Sequence, residues 1–312
     1  MRPAVVSVLA LSGVFAGPAF ALSAFAQGTD QMHAWCYGNA SDDQTILGCT
    51  TVISSGSESK AGLVNAYYNR AIAYASKGQS DAAIRDYGQA LALAPNNVLA
   101  LNNRGMIFLS TGQTVRARQD FDQAIKIEPT NALARFNRAS LYYREGQYDL
   151  AITDYDQSIK SEPNHADSYN NRGLVYFDKG DLAHALDDFD QALKMVPNEP
   201  RYLVNRCATK ALSGKAESAI ADCMRVLQLR PDHAEALYSR GLAELALKQN
   251  DKAIVDFDRA HTLAPRVARY MYALGIARRR TGDIRGGDGD IAAAKSYAPD
   301  IAAQMTRIGL KP

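Results

Sequence analysis

Asparagine recurs at a single spacing through the first two thirds of the chain. Asn69, Asn103, Asn137, Asn171 and Asn205 follow one another at intervals of 34 residues. A carboxamide carries both a hydrogen-bond donor and an acceptor, so it can pair with a peptide group of a partner without reading that partner's sequence. The column therefore favours binding of an extended polypeptide. The competing interpretation is that these asparagines only cap or solvate a helix face.

Arginine and aspartate form two further columns with the same interval. Each arginine precedes an aspartate by 16 residues, which predicts ion pairs between two neighbouring helices. Such pairs fix the register of the helices, and a ligand-binding role for the arginines is the less favoured alternative. The arginines are Arg70, Arg104, Arg138, Arg172, Arg206 and Arg240; the aspartates are Asp86, Asp120, Asp154, Asp188, Asp222, Asp256 and Asp290.

Four cysteines lie in two local pairs, Cys36 with Cys49 and Cys207 with Cys223. No Cys-x-x-Cys motif and no histidine cluster accompanies them, so a metal site is not predicted. In an oxidising compartment the two pairs would form two disulfides. The alternative is four buried free thiols, which behave as small hydrophobic side chains.

No pattern typical of an active site occurs in the sequence. It contains no glycine-rich phosphate loop, nucleophile elbow or paired-carboxylate motif, and its five histidines are scattered. We therefore predict a protein that is not an enzyme and that binds no metal or cofactor. The 35 basic and 33 acidic residues nearly balance, which argues against a nucleic-acid partner. With 47% hydrophobic and 22% charged residues, the composition is that of a globular protein rather than a disordered one.

Proline marks the structural unit that must position these columns. Seven prolines follow one another at intervals of 34 residues, from Pro95 to Pro299. Seven units of 34 residues that begin at Val64 therefore end at Ile301. Small residues recur at positions 8 and 20 of the unit, and aromatic residues at positions 11 and 24. Each unit is predicted to form two antiparallel helices, A and B, which bury their apolar faces by stacking on neighbouring units.

Helix starts and stops can be placed within the unit. The residue after each of the first five prolines suits an N-cap, namely Asn96, Thr130, Asn164, Asn198 and Asp232. Glycine at position 15 suits the end of helix A in six units. In an antiparallel pair, residues whose position numbers sum to about 31 face each other. Position 8 therefore faces position 24, which brings Cys207 to Cys223, and each column arginine faces its aspartate.

The pattern resembles the tetratricopeptide repeat over residues 64–301, because its period, small residues, aromatic residues and terminal proline all match. It departs from the family at position 4, which is never tryptophan, and at position 7, which is arginine instead of leucine in six units. The resemblance implies an all-α fold, a right-handed α-solenoid superhelix of antiparallel helix pairs. It also implies that helix A positions 2, 5, 6, 9, 12 and 13 line the concave surface.

The asparagine column, at position 6, then becomes part of a candidate peptide-binding groove. Aromatic anchors would be Tyr68, Phe136, Tyr143, Phe177 and Tyr238, and basic residues would be Arg269, Arg279 and Arg280. The implied function is a non-enzymatic scaffold that binds an extended peptide or protein segment. The alternative is a structural component of the cell envelope, or an accessory subunit of an envelope enzyme or exporter, that acts through its convex surface or by self-association.

The two ends of the chain differ from the repeats. Residues 1–26 read as a signal peptide cleaved after Ala26 or, less favourably, after Ala21, which predicts a periplasmic or secreted protein. The apolar part of this segment is too short to span a bilayer. Residues 27–63 resemble a degenerate helical repeat followed by a linker. The last helix B contains Gly286, Gly287 and Gly289 and is expected to fray. Residues 302–312 are predicted to form a capping helix and tail.

Overall fold

The computed structural model describes residues 30–311, which form seventeen α-helices and no β-strand, so the predicted all-α fold is confirmed. The chain divides into two compact units, of which the first ends at Pro129 and the second begins at Thr130. The predicted signal peptide and both alternative cleavage sites lie outside the described residues.

Each unit is a series of short helices joined by tight turns. In the first unit these are α1 (30–37), α2 (Asp42–Ser55), α3 (Lys60–Ser76), α4 (Ser80–Leu93), α5 (Val98–Ser110) and α6 (Thr114–Ile127). In the second unit they are α7 (Ala132–Arg144), α8 (Tyr148–Ser161), α9 (Ala166–Asp178), α10 (Leu182–Met195), α11 (Pro200–Leu212), α12 (Ala216–Leu229), α13 (Ala234–Ala246), α14 (Asn250–Leu263), α15 (Ala268–Arg280), α16 (Ile284–Tyr297) and α17 (Ile301–Arg307). From α3 to α16, odd numbers are the predicted A helices and even numbers the B helices.

Small residues at position 8 let each A helix approach its own B helix. A methyl group added at Gly105 would lie 2.6 Å from the ring of Phe121, and one at Gly241 would lie 2.6 Å from the ring of Phe257. The aromatic side chain at position 24 thus fills the space that a missing side chain leaves. This confirms that positions 8 and 24 face each other.

The predicted ion pairs form in all six repeats that contain both residues. Arg138, for example, donates from Nε and Nη2 to the two carboxylate oxygens of Asp154, at 2.6 and 2.9 Å. The other five are Arg70–Asp86, Arg104–Asp120, Arg172–Asp188, Arg206–Asp222 and Arg240–Asp256. In the last repeat Leu274 occupies position 7, and Arg278, one turn later, donates to Asp290 at 2.7 Å.

Both cysteine pairs are disulfides. Cys36 of α1 is bonded to Cys49 of α2, and Cys207 of α11 is bonded to Cys223 of α12. Their Cα atoms are 4.5 and 5.8 Å apart, and residues 30–311 contain no free cysteine. Each bond joins the two helices of one antiparallel pair.

The predicted N-caps are wrong by one residue. The cap of α5 is Asn97, whose side chain accepts from the amide of Ala100, and that of α7 is Asn131. Two residues, rather than one, separate the proline from the helix because they form a turn. In α5 this turn is closed by the Asn97 amide, which donates to the carbonyl of Ala94 at 3.1 Å.

A left-handed residue ends each A helix from α3 to α15. Glycine serves at six of these seven places, with φ of 71° at Gly78 and 95° at Gly282. The exception is Lys248 after α13, whose φ is 60°. A side chain with a Cβ is strained in this conformation, whereas glycine is not.

The fraying expected for the last B helix is not seen, because α16 is continuous from Ile284 to Tyr297. One of its glycines has a packing role: a methyl group at Gly287 would lie 2.6 Å from the carbonyl oxygen of Gly275 on α15. The two helices touch through their backbones. The short helix α17 follows, and its Ile301 and Met305 are buried.

Candidate functional site

The asparagine column lies on the A helices, and part of its hydrogen-bonding capacity is used between neighbouring repeats. In the first unit, Asn103 Nδ2 donates to Tyr68 Oη at 3.0 Å, and Asn69 Nδ2 donates to the carbonyl of Cys36 at 2.9 Å. In the second unit, Asn205 Nδ2 donates to Asn170 Oδ1 at 2.8 Å. The side chain at position 6 therefore joins its helix to the preceding repeat.

Sequence reasoning missed this inter-repeat role. Each Nδ2 carries a second hydrogen, so the half-buried Asn69 and Asn205 keep one N–H and an acceptor oxygen. Asn103 also hydrogen-bonds the hydroxyl of Tyr87. Asn171 Oδ1 accepts from Asn170 Nδ2, and Asn137 is buried. Some polar atoms of the column thus join neighbouring repeats, and others remain available to a partner. The 34-residue interval alone does not distinguish the two roles.

The second unit encloses a cavity of about 520 Å³ on the A-helix side. It brings together five of the residues predicted for a groove, namely Tyr143, Phe177, Asn205, Tyr238 and Arg269. With the exception of Thr209, at position 10, all lining residues from the A helices occupy positions 2, 5, 6, 9, 12 or 13.

The other predicted groove residues lie away from this cavity. Phe136 packs edge-on against Tyr155 and His165, with ring centroids 5.8 and 5.1 Å apart. Arg279 pairs with Asp288 of α16 at 2.7 Å, and Arg280 Nη1 lies 3.5 Å from the carbonyl oxygen of Leu245. The prediction that these two arginines line a groove is therefore not supported by their contacts. Tyr68, Asn69 and Asn103 belong to the first unit.

Two polar clusters border the cavity. Tyr143 Oη donates to Asp178 at 2.7 Å, and Arg269 Nη2 donates to Glu235 at 2.6 Å. The Arg269 guanidinium lies 5.6 Å from the ring centroid of Tyr238, a cation–π distance. Asp178, Glu235 and Arg269 are the charged residues of the lining, so its net charge is negative. Burial raises the pKa of Tyr143 and Tyr238, so both phenols are neutral hydrogen-bond donors at physiological pH.

Helix α17 supplies the part of the lining that sequence reasoning did not predict. Gln304, Met305 and Ile308, the residue that follows the helix, line the cavity together with Phe177 and Asn205. The apolar spacing of Ile301, Met305 and Ile308 predicts a helix with one buried face. Nothing in the local sequence indicates which surface that face covers.

Residues 30–311 contain no group of three or more His, Cys, Asp or Glu side chains placed to hold a metal ion. The described helices also include none long and apolar enough to cross a membrane.

The sequence profile of the tetratricopeptide repeat family matches residues 68–132, 136–200 and 213–268, more than half of the chain. No curated protein sequence matches this chain.

Solved structures show the same fold at low sequence identity. A tetratricopeptide repeat protein from Parabacteroides merdae aligns with 80% of this chain and 99% of its own, at 19% identity and a TM-score of 0.62. PilW, a type IV pilus biogenesis factor, aligns over 65% of this chain and 94% of its own, at 20% identity and a TM-score of 0.58. YrrB, a protein with an unusual peptide-binding site, aligns over 57% of this chain and 92% of its own, at 19% identity and a TM-score of 0.50.

Proposed function

Because the chain belongs to the tetratricopeptide repeat family, whose members are typically non-enzymatic scaffolds for other proteins, we propose that it binds an extended segment of a partner protein along its A helices. The observation that carries the proposal is the cavity of about 520 Å³ in the second unit, lined by the A-helix positions expected to form a groove. A volume of this size accommodates a few side chains of a peptide.

The lining supplies two kinds of contact. Phe177, Leu174 and Leu242 offer apolar surface for anchoring side chains, and Asn205 offers one N–H and one oxygen for main-chain groups. A partner bound by such a surface is recognised by its apolar side chains, while its backbone is held without regard to sequence.

The first unit presents similar chemistry on its A helices. Ile72, Leu99 and Met106 at positions 9 and 2 are 39%, 55% and 41% exposed, although all are apolar. They accompany Asn69, which keeps one N–H and an acceptor oxygen. Exposed apolar side chains beside an amide with unpaired hydrogen-bonding atoms support a role for this unit in peptide contacts as well.

The site of action that we propose is outside the cytoplasm. Two disulfides are typical of proteins that mature in an oxidising compartment. The signal-like segment 1–26 agrees with them. Sequencing the N-terminus of the protein recovered from the periplasm or medium of its host tests this, and an intact Met1 would contradict it.

Filling the cavity tests the binding site without removing any hydrogen bond. Ala208, on α11, lines the cavity, so Ala208→Phe should block it. Ala183→Phe on the exposed side of α10 is the matched control. Peptides selected from a random displayed library against the wild type should bind Ala208→Phe at least about tenfold more weakly, a loss of about 1.4 kcal/mol, and Ala183→Phe unchanged. Equal affinity for all three chains would place binding outside the groove, in favour of the convex surface.

A further inference from the structure

Helix α17 does not continue the regular stack of A helices. Contacts between consecutive A helices in the second unit join residues 34 or 35 apart, as in Arg269–Glu235 and Tyr202–Asp167. Met305 of α17 instead approaches Tyr238, 67 residues earlier, with 3.9 Å between Sδ and Oη. The helix therefore packs on α15 and α16 and also reaches α13, where it covers the groove surface.

The surface beneath α17 has a hydroxyl that lacks the partner found elsewhere. In the first unit, the position 5 hydroxyl of Tyr68 accepts from Asn103 at position 6 of the next repeat. Tyr238 also occupies position 5, but position 6 of the next repeat is Ala273. Although Tyr238 is buried, its only described hydrogen-bond acceptor is the Met305 thioether, which is a weak one.

A second polar group beside Tyr238 is also unsatisfied. Ser239 is fully buried, and its hydroxyl has no hydrogen-bond partner. It takes the place of an asparagine in the column, and Val204 at position 5 of the preceding repeat offers it no polar atom. A buried polar group without a partner costs about 1–3 kcal/mol. Two hydroxyl groups of α13, those of Tyr238 in the cavity lining and of buried Ser239, therefore lack a strong hydrogen-bond partner among the described residues.

Helix α17 itself is held mainly by apolar burial. It has seven residues, and apart from the Met305 contact its described side-chain hydrogen bonds are local, from Gln304 to Asp300 and from Thr306 to Ala302. Ile301, Met305 and Leu310 are buried. So short a helix has little stability of its own and depends on this packing.

From these observations, and resting on the function proposed above, we propose that α17 is an internal occupant of the partner-binding groove. Met305 fills the site on Tyr238 that an apolar side chain of the partner takes when it displaces α17. The preferred partner segment has a methionine- or leucine-like side chain next to a main-chain carbonyl, because the carbonyl would accept from Tyr238 Oη better than sulfur does. A basic side chain beside it would complement Asp178, for which residues 30–311 show no ion pair.

Amide hydrogen exchange of the full-length chain, followed by mass spectrometry, tests whether α17 opens separately. We expect residues 301–310 to exchange at least about 100-fold faster than α15. Met305→Ala should accelerate their exchange about tenfold more and leave α15 unchanged. Met224→Ala, at an exposed methionine of α12, is the matched control and should change neither. Exchange of α17 and α15 at one common rate in the wild type would overturn the proposal, because α17 would then be a fixed part of the fold.

A labelled peptide of residues 299–311 tests the site itself, without any natural partner. It should bind the Met305→Ala chain at least about tenfold more tightly than the wild type, whose own α17 competes at a high effective concentration. The same peptide with aspartate in place of methionine should not bind. Failure of the unaltered peptide to bind the Met305→Ala chain would overturn the inference. Library selection on the wild type tests the proposed function separately, so that function and the role of α17 can fail independently.

Discussion

Single residues that depart from their column show how the repeats are built. Lysine or arginine at position 11 pairs with the column aspartate in two of the last three repeats, through Lys210 and Arg278. In the repeat between them position 11 is Glu244, which is buried and has no partner on Oε2. Lys248 likewise takes a place that glycine fills in the other six A-helix turns. Glu244 lies on α13 and Lys248 in the turn after it, so the end of this A helix combines a strained backbone with a carboxylate oxygen that has no hydrogen-bond partner.

Replacing Lys248 with glycine should stabilise the protein. The φ of 60° costs a residue with a Cβ about 1 kcal/mol or more, and glycine removes that cost. We expect a higher urea midpoint, which corresponds to a free energy of unfolding raised by about 1 kcal/mol. Lys248→Ala keeps the Cβ and should leave the midpoint unchanged. If both variants were stabilised equally, the loss of the lysine charge rather than the relief of backbone strain would explain the stabilisation.

Glu244 should make stability depend on pH. Burial, together with Asp256, raises its pKa from 4.5 to about 7, against the opposing effects of Arg240 and Lys252. Because the folded pKa exceeds the unfolded one, folding favours the protonated form. The stability that protonated Glu244 contributes is complete below pH 4.5 and is lost as pH rises through 7. At about 1.4 kcal/mol per pKa unit, the shift from 4.5 to about 7 corresponds to a loss of stability of about 3.5 kcal/mol by pH 8.

The Glu244→Gln variant is the control for this titration. It should be more stable than the wild type at pH 8 and comparable to it at pH 5, in urea unfolding followed by circular dichroism. A constant difference between the two proteins from pH 5 to pH 8 would show that Glu244 does not titrate in this range.

At the scale of the helices, the sequence predicts the contacts within one repeat, which depend on the 34-residue period. It does not predict the contacts between repeats, which depend on how successive repeats pack. The 34-residue interval is sufficient to pair position 8 with 24 and position 7 with 23, because both pairs lie within one antiparallel hairpin. The N-caps are displaced by one residue because the turn after each proline is one residue longer than assumed. The contact of Asn205 with Asn170 and the path of α17 depend on how successive repeats rotate, which no local pattern encodes.

The arginine–aspartate pairs should be costly to break singly. Asp188 is buried and accepts from Nε and Nη2 of Arg172, whereas its neighbour Asp187 on the same helix is exposed. Asp188→Ala should cost about 3–5 kcal/mol because it leaves a partly buried guanidinium uncompensated. Asp187→Ala should change the free energy of unfolding by less than about 0.5 kcal/mol. Similar thermal midpoints for the two variants would contradict a structural role for the pairs.

At the scale of the molecule, stability is the sum of many similar local contributions. Repeats bury their apolar faces mainly against immediate neighbours, so a perturbation fades with distance along the stack. The two disulfides follow the same rule, since each links helices of a single pair. Neither bond joins distant parts of the described chain.

Removing the second disulfide should therefore have a local effect. The double substitution Cys207→Ala and Cys223→Ala should destabilise α11 and α12 by about 3 kcal/mol, less any strain that is relieved. Amide exchange should accelerate in these helices and remain unchanged in α3 and α4 of the first unit. Equal acceleration in both units would show that the described chain unfolds as one cooperative body.

The disulfide between α11 and α12 also determines how the protein would respond to mechanical force. When the chain is pulled from its ends, the 16-residue stretch between Cys207 and Cys223 cannot extend, and the covalent path runs through the sulfur atoms instead. At about 3.4 Å per residue, this withholds roughly 50 Å of contour length until the bond is reduced. The thiol–disulfide balance of the surroundings would thus set the maximum extension of a protein whose stack of repeats otherwise unwinds pair by pair.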